Sequence, residues 1–162
     1  MTRDVPGRLR AVVGFGSNLG DRLATLRAAR RALEGLSHVE ATSRVYATAP
    51  VGPPQPDYLN AAARIAYEGT PARLMEALLS IEAGLGRVRA ERFGPRTLDL
   101  DLLWIDGVRV DTPQLVVPHP RLCERAFALA PMLEVAPDAR DPATGLRYAV
   151  PPGDARATDD VL

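Results

Sequence analysis

The chain has 162 residues, 46% hydrophobic and 25% charged, which suits one compact domain with a real core over residues 1–162. Twenty basic residues balance twenty acidic ones, so no global field draws the protein toward nucleic acid or an acidic membrane, and any anion site must be local. One cysteine, Cys123, excludes an internal disulfide and a cysteine-based metal cluster, and two histidines, His38 and His119, leave little for a zinc site. The opening MTRDVPGRLR lacks an apolar signal-peptide core, and no apolar run approaches ~18 residues. A soluble, cytoplasmic, monomeric protein is expected.

In chain order, RAVVGFGSNLG is an apolar run closed by glycines, predicting a first strand from Leu9 to Gly16 and then a tight turn. DRLATLRAARRALEGL carries Leu23, Leu26, Ala29, Leu33 and Leu36 at helical spacing, with Asp21 as N-cap. HVEATSRVYAT alternates around Val39, Ala41 and Val45 as a second strand, and PVGPPQP is too rich in proline for anything but a rigid loop. YLNAAARIAYE is a third strand, with Leu59, Ala61, Ala63 and Ile65 on one face and Tyr58, Asn60, Ala62 and Arg64 on the other. Thr70 as N-cap and Pro71 as first helical residue open a second helix striped by Leu74, Leu78, Ile81 and Leu85. TLDLDLLWIDG is the fourth strand, ended by a turn at Asp106-Gly107.

This order, βαββαβ, predicts an α+β ferredoxin-like sandwich: an antiparallel sheet with two helices on one face. A further helical pattern, Pro120 to Glu134, is placed on the other face, followed by a short appendage from Asp138. Residues 1–8 and 152–162 are expected to be frayed.

All basic side chains are arginine, which excludes a Walker A loop with its phosphate-binding lysine. Phosphate, if handled, would be held by guanidinium forks. GFGSNLG has the spacing G-x-G-x-x-x-G in a split βαβ context, which argues for a strand-to-helix connection and against a dinucleotide loop.

The fourth strand raises the chemical question. Alternation puts Asp99 and Asp101 on one face and Leu98, Leu100 and Leu102 on the other, which faces the helices. Two such charges, roughly 6.6 Å apart, repel by about 2.5 kcal/mol at an effective dielectric of about 20. A magnesium ion, completing its shell with water and substrate phosphates, would offset this; a solvated face with an arginine partner would as well, and spacing alone leaves both open. Arg87, Arg89, Arg92 and Arg96 crowd the adjacent GRVRAERFGPR segment. Clustered cations beside paired carboxylates fit a magnesium-bound polyphosphate.

These residues resemble those of the 6-hydroxymethyl-7,8-dihydropterin pyrophosphokinases of folate biosynthesis. The resemblance runs from about Val12 to Asp138 through four ordered blocks: GSNLGDR, YLNAA, GRVRAERFGPRTLDLDLL and VPHPRLCERAFALAPMLEVAPD. It implies a ferredoxin-like fold and transfer of the β,γ-pyrophosphoryl group of ATP to the pterin hydroxymethyl oxygen, leaving AMP. It also implies two magnesium ions on Asp99 and Asp101, and transfer assisted by Arg87 and Arg92. Arg89, Arg96, Arg125 and His119 would then lie around the nucleotide, with Phe93 in the closing loop. Glu82 matches an acidic position that serves either ATP binding or loop support. For the pterin, Tyr58 and Phe127 would be the flat walls and Asn60 the amide that reads the heterocycle edge. Thr48, Ala49, Pro50, Val51 and Gly52 would lend backbone groups. Phe93 stands where some members have tryptophan, Pro120 where some have tyrosine, Leu79 where a glutamine can occur and Gln114 where an arginine can, which puts the adenine and ribose contacts in question.

Two other readings compete. A nucleotide-sugar transferase could use the same D-x-D pair, but the chain is short and lacks the pattern of a doubly wound parallel sheet. The other is a non-catalytic ferredoxin-like module that binds a regulatory ligand or RNA; RNA binding would want exposed aromatics on the central strands and a basic sheet face, whereas this one is acidic. Neither nucleic acid nor membrane is expected as a partner.

Overall fold

The computed structural model describes residues 7–50, 52, 54–85 and 97–162. Its elements run β1 (Gly7–Ser17), α1 (Arg22–Glu34), β2 (His38–Thr42), β3 (Arg44–Thr48), β4 (Tyr58–Gly69), α2 (Pro71–Gly84) and β5 (Asp99–Ile105). Then come the short β6 (Val110–Asp111) and β7 (Val116–Val117), a 3-10 turn at Leu122–Glu124, α3 (Ala126–Val135) and β8 (Arg156–Val161). Among the described residues the main sheet has the order β5-β1-β4-β3-β8, with β2 also on β4, and all its pairings are antiparallel. Taking β2 and β3 as one broken strand gives the sheet order of a ferredoxin-like sandwich, as the sequence predicts.

Both helix starts follow their local chemistry. Asp21 Oδ1 accepts from Ala24 N at 3.1 Å, and Thr70 Oγ1 accepts from Arg73 N at 3.2 Å with Pro71 behind it. Leu26, Ala29 and Leu33 of α1 and Leu74, Leu78 and Ile81 of α2 pack on one sheet face against Val13, Phe15, Ala61, Ala63, Ile65, Leu100 and Leu102. On the opposite face α3 buries Leu129, Met132 and Val135 against Val12, Ala62, Leu103 and Trp104. It covers only part of that face, and the remainder is open.

Four differences from the sequence expectation have physical causes. The second strand breaks at the buried Ser43, whose Oγ donates to Arg44 O at 2.7 Å and accepts from Ala62 N at 2.9 Å. A side chain that takes a ladder partner in this way interrupts the ladder. β1 extends one residue further, through Ser17, and the turn begins later, with Gly20 in the left-handed region at φ 71°. The third helix starts at Ala126, after an extended Arg125 that separates it from the 3-10 turn. The tail expected to be frayed is instead ordered as β8. It pairs with β3, its carbonyls at Val161 and Leu162 accept from Arg27 and Arg30, and Leu162 joins the core. At the other end Gly7 and Arg8 already belong to β1. Polar residues in the tail misled the composition argument, because a strand that closes a sheet edge needs backbone pairing more than apolar side chains.

Candidate active site

The uncovered part of the α3 face is built by register. Gly16 lies between Asp99 on β5 and Asn60 on β4, and Gly14 between Asp101 and Ala62; farther out, Thr48 of β3 pairs with Tyr58. Period-two alternation therefore brings Asp99, Asp101, Gly14, Gly16, Asn60, Tyr58 and Thr48 to one face, while Leu98, Leu100 and Leu102 go to the helices. The two acidic residues share a side, as the sequence predicts.

A cavity of about 440 Å³ occupies this place. Asp99 and Asp101 line one flank, Thr48, Ala49, Tyr58 and Asn60 the other, and Leu103, Arg121, Glu124, Arg125, Phe127 and Ala128 close it from the β5 end and the start of α3. The floor is glycine. A Cβ built on Gly16 would come 3.1 Å from Asn60 Nδ2 and 3.9 Å from both Asp99 Cβ and Tyr58 Cδ1; one on Gly14 would meet Leu103 Cδ1 at 3.0 Å. These glycines are needed for space rather than for an unusual backbone angle. The sequence places both glycines within the first strand but assigns them no part in a cavity. The available signal was that the two glycines alternate within a strand whose neighbours carry the acids and the amide.

Orientation inside the cavity is set by hydrogen bonds. Thr48 Oγ1 donates to Asn60 Oδ1 at 3.1 Å, both residues being buried, so the amide NH2 is the end turned toward Gly16. The Pro-rich loop after β3 is tied down by Asn18, whose Nδ2 donates to Gln55 Oε1 at 2.6 Å and Pro56 O at 3.1 Å, and by Arg22, whose Nη1 donates to Asp57 O at 2.8 Å. The Arg125 guanidinium carbon sits 5.5 Å from the Phe127 ring centroid, a cation-π arrangement that holds both at the cavity mouth.

Of the described residues predicted for the site, Pro50, Gly52, Glu82 and His119 lie outside the lining. Glu82 is 4% exposed, and its Oε2 accepts from Leu100 N at 2.7 Å, bracing the strand residue between the two aspartates. His119 donates its backbone N–H to Leu103 O at 2.9 Å and accepts at Nδ1 from Arg121 N at 3.2 Å. Burial, and then the nearby Arg125 and Arg121 charges, hold its imidazole below the usual histidine range, so it is neutral at pH 7 with the proton on Nε2. Leu79, Gln114 and Pro120 are exposed. Arg87, Arg89, Arg92, Phe93, Arg96 and Val51 lie outside the described residues.

The donor chemistry suits a hard divalent cation held partly by substrate. Among the described residues no group of three or more His, Cys, Asp or Glu side chains is placed to hold a metal ion by itself. Two carboxylates facing a cavity leave most of a magnesium shell to water and phosphate oxygens, which is how that ion is usually bound beside nucleotides. No helix among the described residues is long and apolar enough to cross a membrane.

Comparison with known proteins places the chain in a family. The chain is 42% identical over 137 residues to the 2-amino-4-hydroxy-6-hydroxymethyldihydropteridine pyrophosphokinase of Synechocystis sp., spanning 83% of this chain and 70% of that protein. It is 46% identical over 132 residues to the Methylorubrum extorquens protein of the same name, spanning 80% and 84%. The fold is also that of a solved Plasmodium falciparum HPPK-DHPS, with a TM-score of 0.66, 13% identity and coverage of 90% of this chain but only 43% of that one. With the 7,8-dihydro-6-hydroxymethylpterin-pyrophosphokinase sequence profile matching residues 12–137, the chain belongs to that family.

Proposed function

We propose that this protein transfers the β,γ-pyrophosphoryl group of ATP to the hydroxymethyl oxygen of 6-hydroxymethyl-7,8-dihydropterin, a step of folate biosynthesis. The hydroxymethyl oxygen forms a bond to the β-phosphorus, and the bond from that phosphorus to the α,β-bridging oxygen breaks. Its electron pair leaves on AMP, and the hydroxyl proton is released to solvent. The observation that carries the proposal is the glycine-floored cavity with paired carboxylates on one flank and an aromatic-amide pair on the other, in a chain of this family.

In this proposal Asp99 and Asp101 hold two magnesium ions, whose charge would neutralise the triphosphate. Tyr58 and Phe127 sandwich the pterin ring, and Asn60, fixed by Thr48, presents its NH2 to the heterocycle edge. The segment from Thr48 through Pro50, Val51 and Gly52 supplies further backbone contacts. Arg125 and His119 face the nucleotide side, with neutral His119 acting as an Nε2–H donor. Arg87 and Arg92 assist the transfer, while Arg89, Phe93 and Arg96 enclose ATP and Glu82 supports the strand that carries the acids. Catalysis here is positioning and charge neutralisation, the main requirements of phosphoryl-type transfer. Its partners are then small molecules, ATP and the pterin, in the cytoplasmic, monomeric setting expected from the sequence.

The test is to incubate the protein with ATP, magnesium and 6-hydroxymethyl-7,8-dihydropterin and to follow nucleotides by chromatography. AMP and the pterin diphosphate should appear in equal amounts, and only when all three components are present. ADP as product, AMP formed without pterin, or turnover indifferent to magnesium would overturn the proposal.

A further inference from the structure

The C-terminal tail lies beyond the residues that match the family profile, yet it reaches the cavity rim. Asp154, just before β8, accepts through Oδ2 from Ala49 N at 2.7 Å, and Ala49 lines the cavity. Arg156, the first residue of β8, donates from Nη2 to Asp57 Oδ2 at 3.1 Å and from Nε to Asp154 Oδ1 at 3.0 Å. Thus one short stretch of tail grips both ends of the proline-rich loop, at Ala49 and at Asp57. β8 itself is registered on β3, with Arg156 opposite Ala47 and Ala157 opposite Tyr46, and Thr158 Oγ1 adds a bond to Val45 O at 2.8 Å. The grip is therefore mounted on the strand that carries Thr48. The Ala49 N–H holds the Asp154 carboxyl below its ordinary range, with Arg156 adding to the effect. That N–H is committed to the tail, so the donors offered to a ligand by this segment must come from elsewhere in it.

We propose that Asp154 and Arg156 are positioning residues for the pterin, fixing Ala49 and Asp57 at the two ends of the proline-rich loop so that the ring meets a rim already held in place at Ala49. This rests on the pyrophosphokinase reading above. A loop ordered before binding loses less conformational freedom when the ligand arrives, and the benefit falls on the ligand it touches. ATP, held on the Asp99 side, should be indifferent.

The experiment uses the full chain carrying Asp154→Ala, Asp154→Asn or, as a control on the same tail, Asp159→Ala. Michaelis constants are measured for each substrate separately, and hydrogen exchange of the Ala49 amide is followed by NMR. Asp154→Ala should speed Ala49 exchange and raise the pterin KM on the order of ten-fold, as expected when an ordered contact loop is released, while the ATP KM and kcat stay within about two-fold. Asp154→Asn keeps an acceptor for Ala49 and should recover most of the pterin KM; Asp159→Ala should match the parent. A pterin KM unchanged in Asp154→Ala, or a rise shared equally by ATP, overturns the positioning role. An inactive parent protein instead overturns the pyrophosphokinase reading, and the exchange measurement then still reports whether the tail holds the loop.

Discussion

Gly16→Ala tests the glycine floor most directly. The added methyl would stand 3.1 Å from Asn60 Nδ2, so the amide must move by a few tenths of an ångström, and its bond from Thr48 Oγ1 is already 3.1 Å long. Overpacking of this kind costs about 1–3 kcal/mol, while alanine regains roughly 0.5–1 kcal/mol over glycine in a strand, leaving a net destabilisation of about 1 kcal/mol. Binding should suffer more selectively. Losing one well-placed hydrogen bond to the pterin costs about 0.5–1.5 kcal/mol, and at the upper end weakens affinity about ten-fold. Calorimetric titration of the pterin, with magnesium and a non-hydrolysable ATP analogue present, measures this, and a thermal melt measures the stability term. Binding of the analogue itself should hardly change. Parent-like pterin affinity in Gly16→Ala would refute the idea that β1 is bare in order to seat a ligand.

Asp99→Ala should reduce magnesium-dependent turnover on the order of 100-fold or more while a cooperative melt persists, since it removes a cation ligand and a like-charge neighbour together; steady-state assays across a magnesium series check it. Glu82→Ala should cost about 2–3 kcal/mol in denaturant titration, because the carboxylate is buried and Leu100 N loses a charge-assisted partner, whereas Glu82→Gln retains an acceptor and should cost less. For His119 the folded state disfavours protonation, so the unfolded chain binds more protons and stability rises with pH through this window. Its contribution is complete above the ordinary histidine value of about 6.5 and is lost as pH falls through the lowered folded value, so a melt series should decline less toward acid in His119→Gln than in the parent.

Much of the fold was legible because the sheet's two periodicities are written plainly. The leucines of β5 and the alanines of β4 alternate, and the stripes of α1 and α2 fix which sheet face they cover. The acids of β5 and the Tyr58-Asn60 pair were legible for the same reason. What could not be read are features that depend on partners far along the chain. Ser43 breaks a strand only because Ala62 stands opposite, and Asp154 looks like a tail residue until Ala49, 105 positions away, is seen to donate to it. Glu82 was ambiguous from its position, and its bond to Leu100 N gives it a structural partner in β5. Composition also undervalued β8, whose ordering comes from backbone pairing with β3 and arginine donors on α1.

The same strand serves core and cavity through one irregularity. Val12 pairs with Trp104 but Val13 with Leu102, so Leu103 is an extra residue in β5. A bulge of this kind puts two consecutive side chains on one face and resets the alternation. Leu103 and Trp104 both join the α3 cluster, and Ile105 returns to the helix side with Leu100 and Leu102. Without the extra residue, the run from Asp99 would keep strict alternation and send Trp104 toward α1 and α2 and Ile105 toward α3. With it, Trp104 reaches across to donate from Nε1 to Arg140 O at 2.9 Å, fastening the appendage that follows α3. Leu103 then forms the apolar end of the cavity, one alternate position beyond Asp101. The division of the face into a packed half under α3 and an open half over the glycines is thus made by the bulge and by where α3 begins. The open half is bounded by side chains whose places the packed half fixes.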